Sequence, residues 1–295
     1  MTRFREPISK VVFRSVNGVR RRVSPQPSVL NSLQTVEHVV RTGCSLARFG
    51  DGELMIMRGQ AIGFQRVERE LSERLSRGIR GQRSDVLVCV PDVFGKLERF
   101  NPAAAAYWRK ELALNRSQWL RYLDPGRIYG DALVTRFYMD VREKRSARPV
   151  VQALRSLWTD RDVVLIEGQK SRVGVENDLL DTARSTRRIL CPSTNAFDTF
   201  GEVLRAAAAL DRRDLLLLAL GPTASVLVPE LADMGFQALD VGHVDVEYAW
   251  WKMGATAKVP IPGKYVNEAG GASEAYEAMS AGYERQVIVR IGSHT

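Results

Sequence analysis

Two acidic pairs are the first candidates for chemistry in this chain. Asp51 and Glu53 stand within Arg48-Phe-Gly-Asp-Gly-Glu53, and Asp245 and Glu247 within Gly242-His-Val-Asp-Val-Glu-Tyr248. Each pair follows an apolar stretch. Side chains two residues apart project the same way from a strand, or from a loop leaving one, but not from a helix. The expectation is two strand-end loops, each presenting paired carboxylates. Such a pair could hold a hard divalent cation, or divide into one metal ligand and one base. Two plainer readings stand beside this: Asp51-Gly52 is a common turn signal, and alternating charge is unremarkable on an edge strand.

Polar and cationic residues recur where other apolar stretches end. Lys170 and Arg172 lie in a glycine-flanked loop after Asp162–Ile166, where they could clamp a diphosphate or simply be solvated. Asn177 and Asp178 are expected to open the next helix, orienting a ligand hydroxyl or capping the helix. Gly221, Pro222 and Thr223 begin a helix after the run Leu215–Leu220; its free N–H groups suit a phosphate, and ordinary capping explains the same residues. Ser193 and Asn195, in the loop after Cys191, could read a base or ribose, or make a turn. His243 could bind a metal or a phosphate oxygen, or be a hydrogen-bonded structural residue. Asp131, Thr135 and Arg136 flank a strand-like stretch and suit structural ion pairing. Tyr248, Trp250 and Trp251 could stack on a sugar ring or belong to the core. The chain has no Walker loop, no GxGxxG fingerprint and no Cys/His or Ser/His/Asp arrangement, so kinase-type, NAD-dependent and triad chemistries gain no support.

The elements that must position these residues follow from periodicity. Helical spacing is expected from Ser28 to Thr42, over 67–80, 102–122, 149–158 and 176–185, from Phe197 to Leu210, and from Gly221 to Met234. Strands are expected over Ser45–Phe49, Asp85–Val90, 129–136, Asp162–Ile166, Arg188–Cys191, Leu215–Leu220 and Gln237–Val241. Regular alternation from 162 to 241 predicts an α/β, Rossmann-like, mostly parallel sheet with helices on both faces. Ligands bind such sheets at the carboxyl ends of the strands, so the polar loops should converge on one rim. A single domain over 28–295 follows a basic arm over 1–27.

Composition narrows the class. The chain has 295 residues, 45% of them hydrophobic, and its longest apolar run is far too short to span a bilayer. The N-terminus shows no apolar signal core, and three scattered cysteines match neither a zinc spacing nor a disulfide framework. Buried free thiols in a reducing cytoplasm are the expectation. Much of the net charge of +9 comes from Arg3, Arg5, Lys10, Arg14, Arg20, Arg21 and Arg22, opposed only by Glu6. This arm reads as a solvated tail or as peripheral contact with the anionic inner membrane face. No nucleic-acid-binding motif accompanies it.

Several ordered blocks together resemble the GT-D fold glycosyltransferases of bacteria. They are Arg48–Glu53, Tyr129-Gly-Asp-Ala132, Glu167-Gly168 with Lys170, Arg172 and Gly174, Asn177-Asp-Leu179, Cys191–Phe197, Leu220–Ala224, Asp240–Tyr248 and Val259–Glu268. The resemblance covers roughly residues 30–268. It implies a hexosyltransferase with a UDP-sugar donor, Mn2+ or Mg2+ held with a DxE motif, and a glycan, glycoprotein or lipid-linked glycan acceptor. It assigns Asp51 and Glu53 to the metal, and Asp245 and Glu247 to acceptor activation with Glu247 as base. Donor contacts are then carried by Arg48, Lys170, Arg172, Asn177, Asp178, Ser193, Asn195, Gly221, Pro222, Thr223 and His243. Glu176 departs from the pattern, since a small residue is expected before Asn177. Two other classes would use the same groups: a metal-dependent nucleotide phosphohydrolase, and a non-catalytic nucleotide-binding, envelope-associated module.

Overall fold

Strands such as Val86-Leu-Val-Cys-Val90 carry apolar side chains on both faces, which only a sheet covered on both sides can bury. The computed structural model describes residues 26–266, 271–272 and 281–292; the basic arm lies outside them except for Gln26 and Pro27. The strands are β1 (Ser28–Val29), β2 (Ser45–Arg48), β3 (Val86–Val90), β4 (Ile128–Asp131), β5 (Asp162–Gly168), β6 (Ser185–Cys191), β7 (Leu215–Ala219), β8 (Gln237–Asp240), β9 (Tyr265–Val266), β10 (Gly271–Ala272) and β11 (Val287–Arg290). Nine of them form one sheet in the order β1-β4-β3-β2-β8-β7-β5-β6-β11, and every pair in it is parallel. β9 and β10 make a small antiparallel pair apart from it.

The helices are α1 (Ser32–Thr42), α2 (Asp51–Met57), α3 (Arg69–Arg80), α4 (Pro102–Leu120), α5 (Ala147–Ser156), α6 (Phe200–Ala208), α7 (Pro222–Asp233), α8 (Val244–Met253) and α9 (Ala281–Gln286). Val86, Val88 and Val90 face a layer with α2, α3, α4, α6 and α7. Leu87 and Cys89 face the opposite layer, with α1, α5 and α8. The expected α/β sheet with helices on both faces is therefore present. Cys44, Cys89 and Cys191 are buried free thiols. Among the described residues no helix is long and apolar enough to cross a membrane.

The chain order creates the crevice. β2, β3 and β4 step outward to one side, β5 and β6 occupy the other, and β7 and β8 return to the middle. β8 then lies beside β2, with Leu46 opposite Leu239. In doubly wound sheets such a reversal point leaves a cleft at the carboxyl ends of its strands. Here those ends are Arg48 and Asp240.

Three expected elements differ. Ser28 and Val29 form β1 beside Ile128 and Tyr129, because Asn31 and Gln34 cap α1 reciprocally at 2.9 and 3.0 Å and fix its start. β4 stops at Asp131, whose carboxylate accepts the Leu133 N–H at 2.9 Å and turns the chain into a short 3-10 helix over 132–135. Residues 176–185 are not helical. Arg172, Gly174 and Glu176 take positive φ of 49°, 73° and 59°, which breaks helical continuity, and the segment runs through turns into β6.

Gly130 in β4 shows how tightly the layers close. A Cβ there would stand 2.4 Å from Cys89 Sγ and 3.0 Å from Leu87 Cδ2. Gly130→Ala should destabilise the fold by about 1–3 kcal/mol, read by urea unfolding, and a midpoint unchanged from wild type would contradict this packing.

Candidate functional site

Both acidic pairs lie in first turns of helices rather than in strand-end loops. Asp51 and Glu53 are the first and third residues of α2; Asp245 and Glu247 are the second and fourth of α8. The physical reason is that a helix N-terminus favours carboxylates through its unpaired N–H groups and its dipole. Two residues along a helix turn a side chain by roughly 200°, so neither pair presents its carboxylates on one face. Glu53 folds back to accept the Gly50 N–H at 2.7 Å. Asp51 points away and accepts the hydroxyl of Tyr107 from α4.

Several residues expected to touch a ligand instead hold the loops. Asp245 is buried, accepts the Gly174 N–H and the Asn177 side-chain amide at 2.8 Å each, and pairs with Lys264 Nζ at 2.5 Å. Those bonds occupy both oxygens of Asp245 and tie it, with Asn177, into the loop after β5. Arg172 is buried, donates to the Gly263 carbonyl at 2.9 Å and lies against the Tyr283 ring. Asp178 opens no helix and faces a cluster of Tyr248, Arg155 and Lys252 at 3.0, 3.4 and 3.2 Å. Asn195, at φ 50°, donates its N–H to Phe64 O and accepts the Arg66 N–H, both at 2.8 Å, clasping the turn over 62–65. Ser193 accepts the backbone N–H of Lys170 at 3.2 Å, leaving the Lys170 side chain on the exposed surface of the loop. Trp250 is core, donating its indole N–H to Val259 O at 3.0 Å. His243 is the N-cap of α8, its ring 6.0 Å from that of Trp250.

Arg48 also turns inward. Its guanidinium pairs with Asp240 at 2.7 Å and donates to Thr135 Oγ1 at 2.8 Å, to Asp240 O at 3.0 Å and to Ala132 O at 3.2 Å. It therefore knits the ends of β2 and β8 to the turn after β4. Ser225, in the first turn of α7, donates to Arg48 O at 2.6 Å and brings that helix start to the same place. Gly221 takes φ 54° there, with the Phe64 ring packed where a Cβ would stand. Pro222 is buried at the first turn, and the fully buried Thr223 hydroxyl has no hydrogen-bond partner among the described residues.

Glu247 completes the rim from α8. It is fully buried; Oε2 accepts the N–H groups of Tyr138 and Met139 at 2.9 and 2.8 Å, and Oε1 has no hydrogen-bond partner among the described residues. Burial pushes its pKa up to about 7, against those two N–H bonds and the charge of Arg136. Glu53 is likewise raised to about 7, chiefly by burial and then by the neighbouring Asp240. Arg136 acts electrostatically on both Glu247 and Tyr107, so one cationic residue lies near side chains of both α4 and α8.

Asp51 and Glu53 supply hard oxygen donors of the kind Mg2+ and Mn2+ take. Among the described residues no group of three or more His, Cys, Asp or Glu is arranged around a metal position. That agrees with cations of this type, which commonly use one or two carboxylates and complete their shell with water and substrate phosphate. The α8 pair does not suit the role, because Lys264 already neutralises Asp245.

Tyr107, Asp240, Phe64 and Lys264 are the residues that motif reading passes over. Tyr107 stood out only as one aromatic in an aromatic-rich helix, and Lys264 only within an ordered block.

The raised pKa of Glu247 has a sign. As pH climbs from about 4.5 to about 7, the unfolded chain gives up this proton and the folded chain keeps it, so the stability Glu247 contributes declines through that window and levels off above it. Glu247→Gln should therefore gain stability relative to wild type between pH 5 and pH 8, by about 1–3 kcal/mol, measured by urea unfolding at both pH values. An offset independent of pH would contradict the shift.

Residues 46–269 match the model of the family described as Glycosyltransferase GT-D fold. The Streptococcus pneumoniae serotype 4 protein named Glycosyltransferase GlyD is 38% identical over 260 residues, which are 88% of this chain and 32% of that protein. A relative from Streptococcus gordonii is 35% identical over 267 residues, 90% of this chain and 39% of its own length. The chain thus spans well under half the length of the curated relatives it matches. A solved chain described as "A New Glycosyltransferase (DUF1792) from Streptococcus sanguinis" superposes with a TM-score of 0.85 at 36% identity, covering 90% of this chain and 99% of that one. With a family match over most of its length and a parallel sheet of the same fold, the chain belongs to the glycosyltransferase GT-D fold family.

Proposed function

We propose that this chain transfers a hexosyl group from a nucleotide-diphosphate sugar, with UDP as the nucleotide, to a hydroxyl of a glycan, glycoprotein or lipid-linked glycan, using Mn2+ or Mg2+. The observation that carries this reading is the meeting of three helix starts, those of α2, α7 and α8, at the β2–β8 reversal point, joined by Arg48. Asp51 would hold the cation, with Glu53 turned back to the Gly50 N–H; when bound, the cation would neutralise a diphosphate leaving group. The start of α7 at Gly221–Thr223 offers backbone N–H groups and the buried Thr223 hydroxyl to phosphate oxygens. Lys170 adds a cation on the same rim. Glu247 receives the proton of the acceptor hydroxyl. Its Oε2 is fixed by two N–H groups, its Oε1 has no partner among the described residues, and its pKa near 7 suits exchange close to neutral pH.

A phosphohydrolase would use the same carboxylates, and turnover of UDP-sugar that no acceptor stimulates would favour it. A non-catalytic module would leave turnover indifferent to these carboxylates. Glu247→Gln should lower kcat by about 10²–10⁴-fold while the thermal-shift response to UDP with Mn2+ persists. Asp51→Asn should instead remove the Mn2+-dependent part of that response. Wild-type turnover by both variants would overturn the reading.

A further inference from the structure

We propose that Lys144 is a positioning residue for Glu247: its ammonium grips the carbonyl side of the backbone at 138–139, whose N–H side holds the Glu247 carboxylate. The inference rests on the reading of Glu247 as the group that receives the acceptor proton. Lys144 Nζ donates to Tyr138 O at 2.7 Å and to Met139 O at 2.9 Å. Glu247 Oε2 accepts the N–H groups of the same two residues at 2.9 and 2.8 Å. One peptide group links the two side chains. Tyr138 O takes the ammonium, and the Met139 N–H of that same peptide reaches the carboxylate. A charged donor on the carbonyl polarises the peptide and strengthens the bond that its N–H makes. Cation, peptide and anion therefore form a chain in which each bond reinforces the next.

Carbonyl satisfaction alone does not call for a cation here. Met139 O already accepts the Asn101 side-chain amide at 3.0 Å, so the turn has a neutral donor of its own. The Lys144 side chain is half-buried; burial pulls its pKa down, and the charge of Glu247 pulls it up. Nζ also lies 4.6 Å from the centroid of the Tyr138 ring, a cation–π contact with the residue it holds. The turn sits on a firm base. The Asn101 N–H donates to Asp140 O at 2.9 Å and the Arg142 N–H to Arg99 O at 2.8 Å, which ties the turn to the start of α4. Other charged groups face the same place. Arg136 favours the ionised form of Glu247 and Asp140 opposes it. Asp140 is itself paired with Lys258 at 3.1 Å. On α8, Asp245 is matched by Lys264, and the His243 carbonyl accepts the Glu247 N–H at 3.2 Å. Lys144 is joined to Glu247 through a shared peptide, so its charge reaches the carboxylate along a fixed path.

The test follows the side-chain carboxyl carbon of Glu247 by 13C NMR in the full chain labelled at glutamate, across the neutral pH range. Its signal is the one that Glu247→Gln removes. Wild type should titrate at about 7, Lys144→Met about one pH unit higher, and Lys144→Arg as wild type does. Lys144→Gln keeps an N–H donor without the charge; it should follow Lys144→Met, and it carries the test where the methionine variant is too unstable. A Glu247 midpoint that stays at its wild-type value in both neutral variants overturns the proposal. UDP release from UDP-glucose and UDP-galactose supplies the second readout. With Lys144→Met the acid limb of kcat should move up by the same interval and the plateau at high pH should recover, whereas a lysine that only props up the turn would lower kcat equally at every pH. If Glu247→Gln turns over these donors as wild type does, the reading of Glu247 as base falls, and the NMR midpoints still decide whether Lys144 acts on it.

Discussion

The pairing of Arg48 with Asp240 is the constraint on which the rim depends. Arg48 closes β2 and Asp240 closes β8, so the ion pair spans the seam where the two halves of the sheet meet. Asp240 is buried, and Arg48 opposes the upward pull of that burial on its carboxyl. Removing one partner of such a pair strands a charge in a poor solvent and costs about 3–5 kcal/mol. The surrounding backbone is shaped around the guanidinium. Gly242 takes φ 37°, and a Cβ there would stand 1.8 Å from Arg48 Nη2. The arginine thus sets the path by which the chain leaves β8 and enters α8, and through Ser225 it sets the position of α7 as well.

A second set of buried charges does similar work beyond β5, where regular helix is missing. Glu167 pairs with Arg188, whose guanidinium also donates to Val173 O at 2.9 Å and to Gln286 at 2.8 Å. Lys264 reaches Asp245, and Arg172 reaches Gly263 O. A buried irregular segment must find partners for its backbone polar groups. Here Glu167 takes the Val173 N–H and Asp245 the Gly174 N–H, each at 2.8 Å. These side chains are therefore the means by which a turn-rich segment is packed against a sheet. The result is a rim whose polar groups are held before any ligand arrives, the condition under which fixed dipoles stabilise developing charge most effectively.

What was legible in the sequence follows from this division. Strands buried on both faces, such as Val86–Val90 and Leu215–Ala219, announce themselves as apolar runs, and their alternation with helices gives the sheet and its functional edge. The direction of each polar side chain at that edge is a different matter. Asp245, Asn177, Arg172 and Asp178 are polar residues near strand ends, which is where ligand contacts are sought, yet Asn177 turns to Asp245, Arg172 to Gly263 O and Asp178 to the Tyr248 hydroxyl. A helix over 176–185 fitted the periodicity, but positive φ at Arg172 and Glu176 carries no sequence signal, since neither is glycine. Tyr107 and Asp51 meet only through tertiary packing, so no local pattern could have joined them. Sequence order thus located the rim, while long-range ion pairs decided which of its residues remain available for chemistry.

The second acidic pair shows how one short motif can serve two ends. On a strand, Asp245 and Glu247 would have shared a face and a ligand. On α8 they point into different surroundings. Asp245 meets Lys264 and two N–H donors, which together occupy both its oxygens and join the segments that carry them. Among the described residues Glu247 meets two N–H groups and no salt-bridge partner, and one of its oxygens is unmatched. Burial without full compensation is what raises a carboxyl toward neutral pH, whereas burial with a matched cation fixes the charge. The helical turn between the two residues therefore separates structure from proton exchange. It leaves Glu247 as the member of the pair that exchanges its proton near neutral pH.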